Sequence, residues 1–207
     1  MKKYILIVFL ALYSLTGIAQ TETKIDAMGL LYKNYSLGGE FIINKNVSVT
    51  LYAKYILDNR LMMSFRNLEN TERDFSALKF IPEFRYYCKP KQGADGIFMG
   101  IYAIYKTENF NDLSYIDPVS TWDYDYSMSY EGQGLGIIAG YKLLTKSRIS
   151  IEALLGIGMV TPFHIVTSGN HPSFVNENYY IMNNYITTWD YRFEINIAYR
   201  IGKMNKE

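Results

Sequence analysis

The chain has 207 residues with 21 basic and 20 acidic side chains, 20 tyrosines and a single cysteine. A formal charge of +1 lacks the basic excess that nucleic-acid binding needs, and one cysteine excludes an internal disulfide. This is one domain's worth of chain with a mean hydropathy of −0.08, and beyond the amino terminus no apolar run reaches the length of a membrane helix.

The amino terminus has the three parts of a secretory signal: basic Met1-Lys2-Lys3, an apolar stretch from Tyr4 to Leu15, and small residues at Gly17 and Ala19. A retained anchor helix is the alternative, but the apolar stretch is short and Gln20-Thr21-Glu22-Thr23-Lys24 turns polar at once. Residues 1–19 are therefore expected to be cleaved, and residues 20–207 to form a single domain. The cut removes Lys2 and Lys3, so 21 basic residues become 19 against 20 acidic ones, a net charge of −1. No cysteine follows the cut, which argues against lipoprotein attachment.

Strands follow in order. Residues 24–32 alternate weakly, 35–43 and 47–57 more clearly. From Leu78 to Cys88, within an expected strand 76–88, Leu78, Phe80, Pro82, Phe84 and Tyr86 share one face against Lys79, Ile81, Glu83, Arg85 and Tyr87. Strands are further expected at 96–106 and 128–144, and at 149–161, where Ile149, Ile151, Ala153, Leu155 and Ile157 oppose Ser150, Glu152, Gly156 and Gly158. The last, 188–201, is the clearest. Trp189, Tyr191, Phe193, Ile195, Ile197, Tyr199 and Ile201 oppose Asp190, Arg192, Glu194, Asn196, Ala198 and Arg200. Side chains of a strand point to opposite faces in turn, so one face is apolar throughout; a helix would mix the two sets.

The connections Asn44–Asn46, Lys89–Asp95 and Thr145–Arg148 are short and polar, whereas Asp58–Phe75, Thr107–Ser127 and Pro162–Thr187 are long. Alternating short turns and long loops is the pattern of an outer-membrane barrel. Counting 24–32 as a strand gives eight, with both termini in the periplasm. A soluble eight-stranded barrel is the rival, since it alternates too but buries its apolar face. Long continuous apolar stripes, aromatics towards stripe ends and the sorting of loops by length favour the membrane. The reading is an all-β, eight-stranded antiparallel up-and-down transmembrane barrel.

With the apolar face outward, Lys79, Glu83, Arg85, Lys142, Glu152, Arg192, Glu194 and Arg200 converge in the lumen. An eight-strand barrel is only just wide enough for its side chains, and buried charges must pair or be hydrated. A lumen closed by a structural ion-pair network is expected; a small channel or carrier for a hydrophobic or ionic solute is the alternative. Gly132, Gly134, Gly136, Gly140, Gly156 and Gly158 also face inward, making room for inward Arg and Tyr side chains. Gly132-Gln133-Gly134-Leu135-Gly136 lies within a strand and opens no helix, so it is no phosphate loop.

The motif order is Pro82-Glu83-Phe84-Arg85-Tyr86, Gly96-Ile97-Phe98-Met99-Gly100, Gly132-Gln133-Gly134-Leu135-Gly136, Gly140-Tyr141 and Glu152-Ala153-Leu154-Leu155-Gly156-Ile157-Gly158. Over residues 24–201 it resembles the small outer-membrane β-barrel domains of Gram-negative bacteria. In particular it is similar to a family of unassigned function related in architecture to the OmpA and OmpX barrels. The resemblance implies an integral outer-membrane location and supplies no catalytic residues. Unlike in OmpA, no periplasmic peptidoglycan-binding domain is expected after the barrel.

Few residues suggest chemistry. His164 and His171 are the two histidines, with Ser168, Ser173 and Glu177 nearby, but no triad or metal spacing links them. Asp112, Asp117, Asp123 and Asp125 lack the ordered spacing of a calcium loop. No catalytic residue, metal ligand or cofactor is assigned. Thr121-Trp122-Asp123-Tyr124 and Thr188-Trp189-Asp190-Tyr191 repeat one another, as tryptophan at the headgroups with aspartate at the rim or as an aromatic rim for glycan. Expected partners are outer-membrane lipid and, through loops 58–75, 107–127 and 162–187, an extracellular partner or glycan. The expected role is non-enzymatic.

Overall fold

The computed structural model describes residues 20–57, 75–91, 93–116, 123–145, 148–169 and 188–201; the signal segment 1–19 lies outside them. The elements are β1 (Gln20–Asp26), α1 (Ala27–Leu31), β2 (Asn34–Ile42), β3 (Val47–Leu57), β4 (Phe75–Cys88), β5 (Gly96–Ile116), β6 (Asp123–Leu144), β7 (Ile149–Gly169) and β8 (Thr188–Ile201). Each strand pairs antiparallel with the next, and β1 closes on β8 from Thr21–Ile201 to Asp26–Asn196. The result is a closed eight-stranded up-and-down barrel.

Period-two side chains follow the alternation throughout. Leu135, Leu155 and Tyr191 on the outside are 72%, 62% and 61% exposed, while Glu40 and Arg85 inside are 0% exposed. Apolar side chains displayed to the surroundings and charges packed within is the distribution lipid selects. The apolar stripe runs from Leu135 to Leu143 on β6 and from Trp189 to Ile201 on β8. At about 3.3 Å per residue and a tilt near 40°, these stripes are roughly 20 and 30 Å tall, bracketing an outer-membrane belt. Its upper edge on β5–β7 is aromatic: the Tyr105 and Phe163 rings lie 6.1 Å apart, and Tyr105 Oη donates to Glu131 Oε2 at 3.2 Å.

Four strands differ from the sequence reading by more than one residue. The first strand spans Gln20–Asp26 instead of 24–32, because Asp26 caps a turn of helix: its Oδ1 accepts the Gly29 N–H at 2.9 Å. Ala27-Met28-Gly29-Leu30-Leu31 has neither β-branched residues nor alternation to hold it in the sheet. β5, β6 and β7 also run well past 106, before 128 and past 161, so much of the expected loops 107–127 and 162–187 is strand. Above the belt the outer face meets water and becomes polar, as with Asn109 and Ser129, whose side chains bond at 2.9 Å. The hydropathy contrast between faces fades there while the backbone ladder continues. The β5–β6 connection shrinks to 117–122, so length no longer separates the two ends at that point. Pro162 is accommodated where the β6–β7 register shifts, as Glu131 faces His164 and Gly132 faces Pro162.

The inward glycines seat large side chains. Gly136 and Gly158 are register partners, and Tyr102 lies over both. A Cβ at Gly136 would fall 2.6 Å from Tyr102 Oη, and one at Gly158 2.5 Å from it. Gly136→Val is therefore expected to destabilise the barrel by about 1–3 kcal/mol through overpacking. Gly39→Ala, whose Cβ meets only Phe41 at 4.0 Å, should be nearly neutral. Equilibrium urea unfolding in lipid vesicles checks both.

Candidate functional site in the barrel lumen

The alternation of β4, β6, β7 and β8 carries Lys79, Glu83, Arg85, Lys142, Glu152, Arg192, Glu194 and Arg200 into the lumen, all buried. Eight further buried charges were not singled out from sequence: Glu22, Lys24, Asp26, Glu40, Lys54, Lys106, Glu108 and Asp190. Parity could have found most of them. β2 and β3 point their even residues inward, which places Glu40 and Lys54 there. Among the described residues the buried set comprises eight cations and eight carboxylates, so the lumen is neutral.

Twelve of these charges form one unbroken alternating chain. At the end holding the termini, Arg200 Nη2 lies 2.6 Å from Glu22 Oε1, and Lys142 Nζ lies 2.7 Å from both Glu22 Oε2 and Glu40 Oε2. Lys24 Nζ then links Glu40 Oε2 at 2.8 Å to Glu152 Oε2 at 2.6 Å. Arg85 continues the chain, donating from Nη1 to Glu152 Oε2 and from Nε to Glu83 Oε2, both at 2.7 Å. Glu83 Oε1 meets Arg192 Nη2 at 2.6 Å, and Arg192 Nε donates to Glu194 Oε1 at 2.8 Å. Lys54 completes the run, 2.5 Å from Glu194 Oε1 and 3.7 Å from Asp26 Oδ2. Lys79 pairs with Asp190 at 3.2 Å and Lys106 with Glu108 at 2.9 Å.

Neutral donors supplement the ion pairs at Glu40, Glu152 and Asp190. Glu40 Oε1 accepts Tyr87 Oη at 2.6 Å and Ser48 Oγ at 2.5 Å. Glu152 Oε1 accepts Asn196 Nδ2 at 3.1 Å, and Tyr102 Oη donates to Asp190 Oδ2 at 3.0 Å. The guanidinium planes rest on rings: Arg85 lies 4.7 Å from the Phe98 centroid and Arg192 4.8 Å from that of Tyr102. Cation–π contact of this kind adds a further favourable term in a desolvated site.

Both ends of this network are covered. Near the termini, the β4–β5 turn folds inward: Ala94 is buried, its N–H bonds Lys45 O at 3.0 Å, and Arg200 Nη2 donates to Gly93 O at 3.1 Å. Toward the opposite end, Ile56, Phe75, Ala77, Phe110 and Met128 form an apolar cluster, with the Phe75 and Phe110 rings 5.0 Å apart.

The residues considered for chemistry are dispersed. His164 and Ser168 are exposed on β7, four residues and so roughly 13 Å apart along one strand. His171, Ser173, Glu177 and Asp117 lie outside the described residues, as do loop segments 58–74, 117–122 and 170–187. Asp112, Asp123 and Asp125 are on β5 and β6. Among the described residues no group of three His, Cys, Asp or Glu is placed to hold a metal. Trp189 faces outward, but Asp190 is 2% exposed and points into the lumen, where it joins Lys79 and Tyr102 and not the rim.

An apolar exterior around an ion-paired interior defines a small transmembrane β-barrel. The chain belongs to the family described as "Protein of unknown function (DUF3575)", which matches residues 4–199. No curated protein matches it. Among solved structures, it is similar to a major outer membrane protein from Thermus thermophilus, with 17% identity, a TM-score of 0.49, and coverage of 88% of this chain and 99% of that one. It is also similar to CarO2 of Acinetobacter baumannii, with 10% identity, a TM-score of 0.42, and coverage of 88% and 98%.

Removing one partner from a buried network leaves the other charge uncompensated and typically costs about 3–5 kcal/mol. Glu152→Ala strips an acceptor from both Lys24 and Arg85, so a loss of that order is expected in urea unfolding. Combining it with Lys24→Met should cost less than the sum of the two single changes, because one orphaned cation is then gone.

Proposed function

We propose that the protein is a non-enzymatic integral barrel of the bacterial outer membrane, exported with residues 1–19 as a cleaved signal peptide. Its lumen is closed to ions, and it acts structurally or through the outer end of the barrel on a partner or glycan. The observation that carries this reading is the alternating charge chain from Arg200 to Asp26 inside an apolar shell. An ion entering such a lumen must displace a carboxylate or ammonium already held by two or more partners, at a desolvation cost of several kcal/mol. An antiparallel barrel with both termini at one end and an exposed apolar belt is the form in which strands cross the outer membrane.

The recognition surface in this reading is the outer end: segments 58–74, 117–122 and 170–187 together with the polar upper parts of β5, β6 and β7. The wide separation of His164 and Ser168 supports a role without acyl-transfer chemistry.

Location is tested by gel mobility of unheated and boiled protein from isolated outer membranes. A compact, heat-modifiable band is expected; a water-soluble product would refute the membrane placement. Closure is tested in planar bilayers, where the native protein should show no steady conductance. The double variant Arg85→Ala/Glu152→Ala, which cuts the chain at its middle, should open conducting events. Steady conductance of the native barrel would sink the closed-lumen reading.

A further inference from the structure

The two ends of the barrel differ in charge. The short connections 43–46, 89–95 and 145–148, at the end holding both termini, carry five cations against the single carboxylate Asp95. The connections at the other end, 27–33, 58–74, 117–122 and 170–187, carry four cations against six carboxylates. Among the described residues the lumen between them is neutral, so the asymmetry belongs to the ends. Lys146 lies outside the described residues, and Lys45, Lys89, Lys91 and Arg148 are all exposed.

The three short turns are tied into one platform. Tyr87 N–H donates to Asn46 O at 2.7 Å, Asn46 Nδ2 to Tyr87 O at 2.9 Å, and Ala94 N–H to Lys45 O at 3.0 Å. Arg200 joins the third turn to the second, its N–H on Arg148 O at 2.8 Å and its Nη2 on Gly93 O at 3.1 Å. Asp95 Oδ1 accepts the Lys91 N–H at 2.7 Å, within its own turn. Successive turns lie two strands apart, so at about 4.8 Å per strand they stand roughly 10 Å from one another around the mouth. Cations spread in this way cannot converge on one small anion. They match a surface that presents many.

The height of these cations selects the surface. Ile43 and Ile149 are exposed on the outer face, and Lys45 follows the first by two residues while Arg148 immediately precedes the second. Tyr86, Tyr141 and Tyr199 also face outward at this end, each half exposed, and Lys89 follows Tyr86 by three residues. Tyrosines at the end of an apolar stripe mark the level of the lipid headgroups. At about 3.3 Å per residue, Lys45, Lys89 and Arg148 stand within roughly 10 Å of the last apolar or aromatic side chain. The headgroup layer beyond the hydrocarbon is about 5–7 Å deep, and a lysine stem can lie along apolar surface while its ammonium reaches that layer. The charges thus stand at the level of lipid phosphates.

We propose that the three turns form a cationic collar that binds the headgroups of anionic phospholipids in the leaflet at this end of the barrel. The ammonium and guanidinium groups of Lys45, Lys89, Lys91 and Arg148 meet the phosphates, beside the tyrosine girdle. Each cation held near an anionic leaflet enriches such lipid by a factor of roughly five, and the effect is screened by salt. The collar rests on the membrane placement proposed above and is independent of whether the lumen conducts.

Cys88, the single cysteine, lies one residue before Lys89 and is partly exposed, so a bimane fluorophore on it reports on this end alone. The labelled full barrel is folded into phosphatidylcholine vesicles, with heat-modifiable mobility confirming the fold of every sample. Phosphatidylglycerol or phosphatidylcholine carrying a nitroxide near the headgroup is then added at equal mole fraction. The phosphatidylglycerol probe should quench roughly two- to fivefold more strongly. The variant Lys45→Gln/Lys89→Asn/Lys91→Gln/Arg148→Asn should quench equally with both probes. Asn suits positions 89 and 148, where φ is 52° and 66°, and no backbone hydrogen bond of the platform is touched. Lys45→Arg/Lys91→Arg keeps the charge and should keep the preference, so it carries the test if the neutral variant does not fold. Equal quenching by both probes in the native barrel, or a preference that survives in the neutral variant, overturns the collar and leaves the membrane placement standing. No quenching by either probe would refute the membrane placement and the collar with it. Co-sedimentation of the native but not the neutral barrel with peptidoglycan, without a lipid preference, would assign the platform to the cell wall and overturn the lipid assignment.

Discussion

The constraint on which the structure depends is electroneutrality at close range. Among the described residues sixteen charged side chains occupy a lumen bounded by eight strands, and each charge that entered alone would carry a desolvation cost of several kcal/mol. The alternating chain offsets this by giving each interior member two partners of opposite sign. Tyr87, Ser48 and Asn196 then fill the remaining acceptor positions on Glu40 and Glu152. Inward side chains on β4, β6, β7 and β8 are in this sense selected as a set, since no single one is tolerable without its neighbours.

The same constraint explains the glycines and rings. Arg85 and Arg192 are long side chains in a narrow space, and each is held against a flat partner. Phe98 and Tyr102 provide those surfaces, and they need bare backbone beneath them at Gly140, Gly136 and Gly158. Glycine weakens a strand, and its use at Gly136, Gly140 and Gly158 is accounted for by the aromatic layer it admits.

Much of this was legible in the sequence because side-chain period two is a strong signal wherever the two faces differ in polarity. Trp189 to Ile201 displays it without interruption, and the strand boundaries there and at 47–57 match the structure. The signal failed in two physical situations. Above the belt, water replaces lipid outside, both faces carry polar residues, and strands such as 107–116 read as loops. At 24–32, a local side-chain cap at Asp26 took the chain out of the sheet, a choice decided by one hydrogen bond that alternation does not report. Half of the lumen charges were likewise passed over: Glu40 and Lys54 sit among small and aromatic inward neighbours, where no run of charges draws the eye.

The first strand also bears on how the barrel comes together. β1 has only six register pairs with β2 and six with β8, and its three most buried inward side chains, Glu22, Lys24 and Asp26, are all charged. Their partners lie on β2, β3, β6, β7 and β8, and the Arg200–Glu22 contact spans 178 residues. Contacts of such sequence separation form slowly, because the intervening chain must be ordered first. The amino-terminal strand thus finds Glu40 and Lys54 on the next two strands, but Glu22 gains Arg200 only when the carboxy-terminal strand arrives. Closure of the ring therefore also completes the charge chain at its terminal end, where Arg200 meets Glu22.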